Sequence, residues 1–317
     1  MISILASPKP WHGLAAVHQY NAVKSWLALH PGVEVILYGA APGTAEACER
    51  LGVQHVPHVD ATPEGVPYFG AIADHAAEHA RCDLQCYVNC DILFTKSLLD
   101  ATQRVFFKQF LMIGQRIDLA EGVAIDVTNP DFLVEIRNLA EKGMAQLHPP
   151  AGSDYFVFPR GLWKGLPPVV IGRGGYDNVL IAFCLKKMIP AIDATPLVLA
   201  IHQHHDYSHV AEGASHIFGG DDARTNYSNI SNMNGVSIED VAWLMNGKGI
   251  YETKCRGDWA RYLVLKSIIY SNSRFLQHLA VITRSLAYKL HLSKPKRYNL
   301  FEIIRLFENP KCDNQNI

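Results

Sequence analysis

No stretch of this chain runs to 18 apolar residues without a charge, so a membrane-spanning helix is not expected. An excess of either charge is missing too. The chain has 29 Lys and Arg against 30 Asp and Glu, a formal net charge of -1, which excludes nucleic-acid binding by bulk charge. A disulfide framework is also lacking. Seven cysteines (Cys48, Cys82, Cys86, Cys90, Cys184, Cys255, Cys312) make an odd number without framework spacing, so reduced thiols in a cytoplasmic protein are expected. The start, MISILASPKPW, has no basic stretch ahead of its short apolar run and reads as a buried first strand rather than a secretion signal. There is no internal repeat and no low-complexity tract. Cys82, Cys86 and Cys90 match no metal-cluster spacing, and Gly39–Gly43 (GAAPG) lacks the glycine spacing and lysine of a phosphate-binding loop.

What is present is enough to build a core. The 317 residues are 49% hydrophobic and 19% charged, which suits one large α/β domain with an extension, or two smaller domains. Buried strands are expected at Ile2–Ala6, Val33–Tyr38, Leu84–Val88 and Leu111–Gln115, with a weaker one at Val53–Val59. Helices are expected at Leu14–His30, stopped by Pro31-Gly32, at Thr44–Leu51 with Thr44 as N-cap, and at Tyr68–Arg81. This alternation predicts a doubly wound, mostly parallel sheet, whose ligands sit beyond the carboxyl ends of the strands. Ser7–Lys9, Gly39–Gly43 and Asn89–Asp91 then share one rim. Further on, the pattern predicts strand Tyr155–Phe158, helix Asn178–Lys187 and strand Leu197–Ile201.

Three constellations carry chemistry. In LQCYVNCDILF, Leu84 to Phe94, an apolar strand ends in Asn89-Cys90-Asp91. A carboxylate held at a strand end can bind a hard divalent cation that bridges to a diphosphate. The same aspartate could instead cap the helix that follows. In IGRGGYDNVL, Ile171 to Leu180, glycines let the backbone approach a ligand, and Asp177 stands at the mouth of a helix, either as N-cap or as a general base. In AIHQHHDYSH, Ala200 to His209, four histidines and Asp206 crowd together after an apolar strand, as metal ligands or as a surface cluster. Asp154 before a strand could bind a substrate hydroxyl or cap a turn. Arg116 and Asp118, after the strand at Leu111, could face a donor.

In this order the three constellations resemble GT-A type nucleotide-sugar glycosyltransferases, over roughly residues 1–210. The DxD motif of that family is matched by Asn89-Cys90-Asp91, with Asn in the first position. The Gly-Arg-Gly-Gly-Tyr-Asp loop looks like the W-G-G-E-D loop of inverting galactosyltransferases, with Arg173 for Trp and Tyr176 for Glu. More narrowly, GSDYFVFPRGLW, IGRGGYDN and IDATPLVLAIHQHHDYSH resemble a group of bacterial and plant glycosyltransferase-like proteins. The resemblance implies a GT-A fold whose donor and acceptor halves abut. It implies Mn2+ or Mg2+ held by Asp91 and a histidine, His202 or His205, that follow Asp177 by 25 and 28 residues. It also implies Asp177 as catalytic base. Asn89, Arg116 and Lys9 then face the donor, and Asp154, Arg173, Gly174, Gly175, Tyr176 and His205 face the substrates. The expected activity is transfer of a sugar from a nucleoside-diphosphate donor to a hydroxyl of a glycan or glycolipid, in surface-polysaccharide or glycolipid synthesis. A non-catalytic binding protein of the same fold and a metal-dependent hydrolase using His202–His209 are the competing readings.

Two parts are expected: residues 1–255 as the catalytic domain (1–118 the nucleotide-sugar half, 119–255 the acceptor half) and 256–317 as a helical basic extension. Residues 255–317 hold 11 Lys and Arg against 4 Asp and Glu, a net of +7, which leaves -8 for the rest. Leu263, Ile268, Ile269, Leu276, Leu279, Ile282, Leu286 and Leu290 lie among these charges. Such a segment can rest on the anionic inner face of a membrane, or pack on the catalytic domain with its charges in water.

Overall fold

The computed structural model describes residues 1–204, 214–230, 236–253, 255–271, 273–294 and 297–308. Through the first half of the chain the elements are β1 (Ile2–Ala6), α1 (Gly13–Leu27), β2 (Glu34–Tyr38), α2 (Thr44–Leu51), β3 (Gln54–Val56), α3 (Phe69–His79), β4 (Leu84–Val88), β5 (Ile92–Phe94), α4 (Ser97–Thr102), β6 (Leu111–Ile113), β7 (Ile117–Leu119), α5 (Phe132–Glu141) and β8 (Ala145–Leu147). The second half adds β9 (Tyr155–Pro159), α6 (Tyr176–Lys186), β10 (Ala191–Asp193), β11 (Ala200–His202), α7 (Ala214–Gly219), α8 (Asp221–Ile230), β12 (Trp243–Asn246), β13 (Gly249–Glu252), α9 (Trp259–Tyr270), α10 (Arg274–Lys289) and α11 (Leu300–Glu308).

The fold is mixed α/β with a large, mostly parallel central sheet, in the order β13-β12-β10-β6-β9-β4-β1-β2-β3. β1 runs parallel to both β2 and β4, so the loops after these strands emerge on one rim. β9 is the exception at the centre. It lies antiparallel between β4 and β6, with Val88 opposite Tyr155. The residues just before β9 therefore reach the rim where the parallel strands end. A second sheet, β5-β11-β7-β8, is built from three-residue strands.

Side-chain alternation sends each central strand into two cores. Cys86 and Val88 of β4 and Tyr155 and Val157 of β9 join the core that holds Trp26, Phe94 and Ile201. Tyr87, Phe156 and Phe158 face the other, with Phe69, Trp163 and Leu180. Helices cover both faces, as a doubly wound sheet requires.

Several element boundaries differ from expectation for local reasons. The strand at Leu111 stops at Ile113, because beyond it Gln115 N donates to the Thr195 hydroxyl at 2.9 Å instead of to a neighbouring strand. Thr44 is the first helical residue rather than the cap. Gly43 caps α2, and Thr44 Oγ1 turns back to donate to Ala41 O at 2.7 Å. Residues 194–198 form a turn in which Leu197 N and Val198 N both donate to Ala194 O, and buried Leu199 donates through its N to Ser97 Oγ at 3.0 Å, so β11 begins only at Ala200.

Candidate active site

Lys9 follows β1, Asn89 and Asp91 follow β4, Arg116 follows β6, and Ser153 and Asp154 precede antiparallel β9. All four segments converge on one rim. Gln19 of α1 fixes Lys9 by its backbone: Lys9 N donates to Gln19 Oε1 at 2.6 Å, and Gln19 Nε2 donates to Lys9 O at 3.0 Å. The Lys9 ammonium then meets Asp91 Oδ2 at 3.2 Å. Asp91 caps no helix. It lies in the turn between β4 and β5, and β5 leaves for the second sheet.

From Asn89 a continuous polar network crosses the rim. Asn89 Nδ2 donates to Asp154 Oδ1 at 2.5 Å, and Tyr176 Oη donates to Asn89 Oδ1 at 3.3 Å. Arg116 is the hub. Its Nη1 donates to Asp154 Oδ2, and its Nε donates to Asp118 Oδ1 at 2.7 Å. Asp118 in turn accepts from His148 Nδ1 at 2.6 Å and from His202 Nδ1 at 3.1 Å. Burial alone would raise the pKa of Asp118, but these two histidines and the Arg116 charge outweigh it and hold the carboxyl well below the usual range. Burial also opposes the charge on Arg116, which Asp154 and Asp118 more than restore.

Asp177 enters from the other side. Gly175 adopts φ 81° and caps α6, so Tyr176 starts the helix and Asp177 lies within its first turn instead of capping it. The carboxylate is 8% exposed and accepts from Ser153 N at 3.1 Å, one residue from Asp154. Burial pushes its pKa up to about 6 and the Asp154 charge adds to the rise, while backbone N–H groups of Ser153 and Asn178 pull it down. A carboxylate poised there can take a proton at neutral pH.

The glycine loop serves packing. A Cβ on Gly174 would lie 2.6 Å from Tyr227 Oη, and one on Gly175 would lie 2.7 Å from the Tyr227 ring, so the close approach is to α8. Gly175→Ala should therefore lower stability by about 1–3 kcal/mol, from the clash and from the left-handed φ together. A thermal melt of Gly175→Ala alone and combined with Tyr227→Ala separates the two, since only the clash is relieved in the pair. Arg173 turns its Nε toward Asp222 Oδ2 at 3.4 Å, and Tyr176, largely buried, also donates to Ser153 O at 3.2 Å.

Register puts His202 beside the Asp91 turn. His202 pairs with Ile92 in antiparallel β5 and with Asp118 in parallel β7. Gln203, buried next to it, donates through Nε2 to Asp91 O at 3.2 Å and to His18 O at 2.9 Å. Gln203 lies within AIHQHHDYSH, where only its histidine and aspartate neighbours stand out as ligand types, and His148 belongs to no motif. His148 is distinguished only by following β8 and preceding Pro149-Pro150. His205, Asp206 and His209 lie outside the described residues.

The donor atoms suit a divalent cation shared with a diphosphate. Asp91 already faces a positive group, and donation of Nδ1–H to Asp118 leaves the lone pair of a neutral His202 ring on Nε2. Among the described residues no three His, Cys, Asp or Glu side chains form a self-sufficient metal cage. Sites that bind Mg2+ with one or two carboxylates complete the shell with substrate phosphate oxygens.

No family model and no curated protein matches the chain. Among solved structures it is similar to glucosyl-3-phosphoglycerate synthase from Mycobacterium tuberculosis in complex with Mn2+, UDP and glucosyl-3-phosphoglycerate, at 15% identity and a TM-score of 0.44, covering 74% of this chain and 80% of that one. The complex of that synthase with Mg2+ and UDP gives 15% identity, a TM-score of 0.42 and coverage of 80% and 86%. A structure described as a mycobacterial protein gives 14%, 0.42 and coverage of 80% and 82%.

Proposed function

We propose that this chain is a glycosyltransferase of GT-A type that moves a sugar from a nucleoside-diphosphate donor to a hydroxyl acceptor by direct, inverting displacement. One observation carries the reading. Lys9 and Asp91 form one ion pair on the rim, and Asn89, Arg116, Asp154, Tyr176 and His202 join one polar network beside it; Ser153 links that network to Asp177. A structural carboxylate would need only one of these partners. An anionic donor with a sugar attached needs them spread across a rim.

In this reading Asp91 and His202 hold a divalent cation, Mn2+ or Mg2+, which when bound supplies Lewis-acid stabilisation to the charge growing on the leaving diphosphate. Lys9 adds a second positive charge at the same place. Arg116, held rigid between Asp118 and Asp154, orients the donor, and Asp154 accepts from donor or acceptor hydroxyls. Asp177 takes the proton of the attacking hydroxyl. Among the described residues the buried Ser153 hydroxyl has no hydrogen-bond partner, and it can position that acceptor.

Thermal unfolding with a panel of nucleoside diphosphates, with and without Mn2+, tests the reading. One nucleotide at ten times its Kd should stabilise by about 1.4 kcal/mol, a shift of roughly 2–4 °C. The shift should require the metal and vanish in Asp91→Ala. A panel with no shift, or a shift unchanged in Asp91→Ala, defeats the donor site as drawn here.

A further inference from the structure

α10 is built the wrong way round for a helix of a soluble core. It packs on α9 through its small and polar side, and Ala287 is its only buried residue. Phe275, Leu279, Ile282, Leu286 and Leu290 recur at spacings of three and four, which places them on one stripe. That stripe faces solvent: Phe275 is 75% exposed, Ile282 55% and Leu290 65%. At its end Trp259 of α9 donates through Nε1 to Leu292 O at 3.0 Å, which extends the apolar surface onto α9. A continuous stripe of this kind marks a contact surface.

The charges around the stripe choose the partner. Between Trp259 and Phe301 the chain has eight Lys and Arg and no Asp or Glu. Arg261 is spent inside the protein, on Asp240 and Glu239. Arg274, Arg284, Lys289 and Lys294 make no ion pair among the described residues. A second copy of this chain would fit poorly, because a two-fold pairing of α10 brings the two basic clusters together. A surface of negative charge over hydrocarbon satisfies both features at once. No described helix is long and apolar enough to cross a membrane.

We infer that α10 is an interfacial anchor that lays its Phe275–Leu290 stripe into the headgroup boundary of an anionic phospholipid bilayer, with Arg274, Lys289 and Lys294 on the lipid phosphates. The anchor stands apart from the transfer chemistry and is read by binding alone, so its failure leaves the donor site untouched.

The test is co-sedimentation of the full chain with vesicles of phosphatidylcholine containing phosphatidylglycerol, against vesicles of phosphatidylcholine alone. Pelleting is expected with the anionic vesicles only, and it should weaken as salt is raised. Leu279→Asp combined with Ile282→Asp should reduce partitioning about tenfold or more. Arg274→Glu combined with Lys289→Glu, which disturbs no buried residue, should also reduce it while the thermal melt stays unchanged. Failure to pellet at low salt, or equal pelleting with both vesicle types, overturns the inference. So does a stable dimer by sedimentation velocity that Leu279→Asp dissociates, since a second copy would then cover the stripe.

Discussion

Asp177→Asn should lower the rate of sugar transfer by about 10²–10⁴, the usual contribution of a general base, with little change in donor affinity. The same substitution should make the protein more stable at pH 7, which separates it from a substitution that merely damages the fold. The acid has an ordinary value of 3.8 and is pushed up to about 6 in the folded chain. Folding therefore favours its protonated form. That preference is fully present below pH 3.8 and is lost as pH climbs to about 6, so at neutral pH the buried charge is a cost. Removing the charge while keeping an oxygen to accept from Ser153 N should recover about 1–3 kcal/mol. In the unsubstituted protein the proposed transfer should speed up as pH rises through about 6, and that limb should be absent from the residual rate of Asp177→Asn. Equal loss of donor affinity would remove Asp177 from the role of base. A melt that shows Asp177→Asn less stable at pH 7 would point to a structural carboxylate instead.

Arg256→Ala should cost about 3–5 kcal/mol of stability, the penalty for leaving a buried charge without its partner. Arg256 and Asp193 are almost wholly excluded from water, with Nη2 2.7 Å from Oδ2. Asp193 also accepts from Thr195 Oγ1 at 2.5 Å and from Tyr298 Oη at 3.3 Å, and the Arg256 guanidinium stacks over the Tyr298 ring at 4.6 Å. Arg256 Nη2 further donates to Gln115 Oε1 at 3.0 Å, and Gln115 Nε2 donates to His148 O at 2.6 Å. The loss should therefore reach His148 and Asp118 on the rim and lower donor affinity as well. Denaturant unfolding of Arg256→Ala against a double variant, Arg256→Met with Asp193→Leu, checks the cause. The double variant should be the more stable of the two, because it leaves no charge buried alone.

The parallel part of the sheet is legible because β1 and β4 are five-residue, predominantly apolar strands buried on both faces, a pattern few other environments explain. The second sheet is not legible. Its strands are three residues long, too short for alternation to emerge. The strand at Tyr155 is legible but its direction is not, since an antiparallel aromatic strand buried on both sides reads like a parallel one. Composition singles out Asn89, Asp91 and Asp177, whereas their partners depend on register. Asp118 meets His202 only because β7 and β11 are neighbours, and His148 joins them only because β8 borders β7. The glycines at 174 and 175 stand out in the sequence, but the ring they make room for belongs to Tyr227, some fifty positions further along.

The antiparallel insertion of β9 also bears on how the molecule assembles. The links that tie the rim together across the sheet are long in sequence: Lys9 to Asp91 spans 82 residues, Asn89 to Asp154 spans 65, His202 to Asp118 spans 84 and Asn21 to Gln203 spans 182. Loop-closure entropy must be met before any of these contacts returns energy, so such a topology folds slowly. During synthesis β1, β2, β3 and β4 can pair early, but the edge of β4 stays open until the ribosome has delivered β9. The rim closes only when Gln203 has followed. Until β9 arrives the nascent chain presents an unpaired central strand, and chaperone demand should peak in that interval.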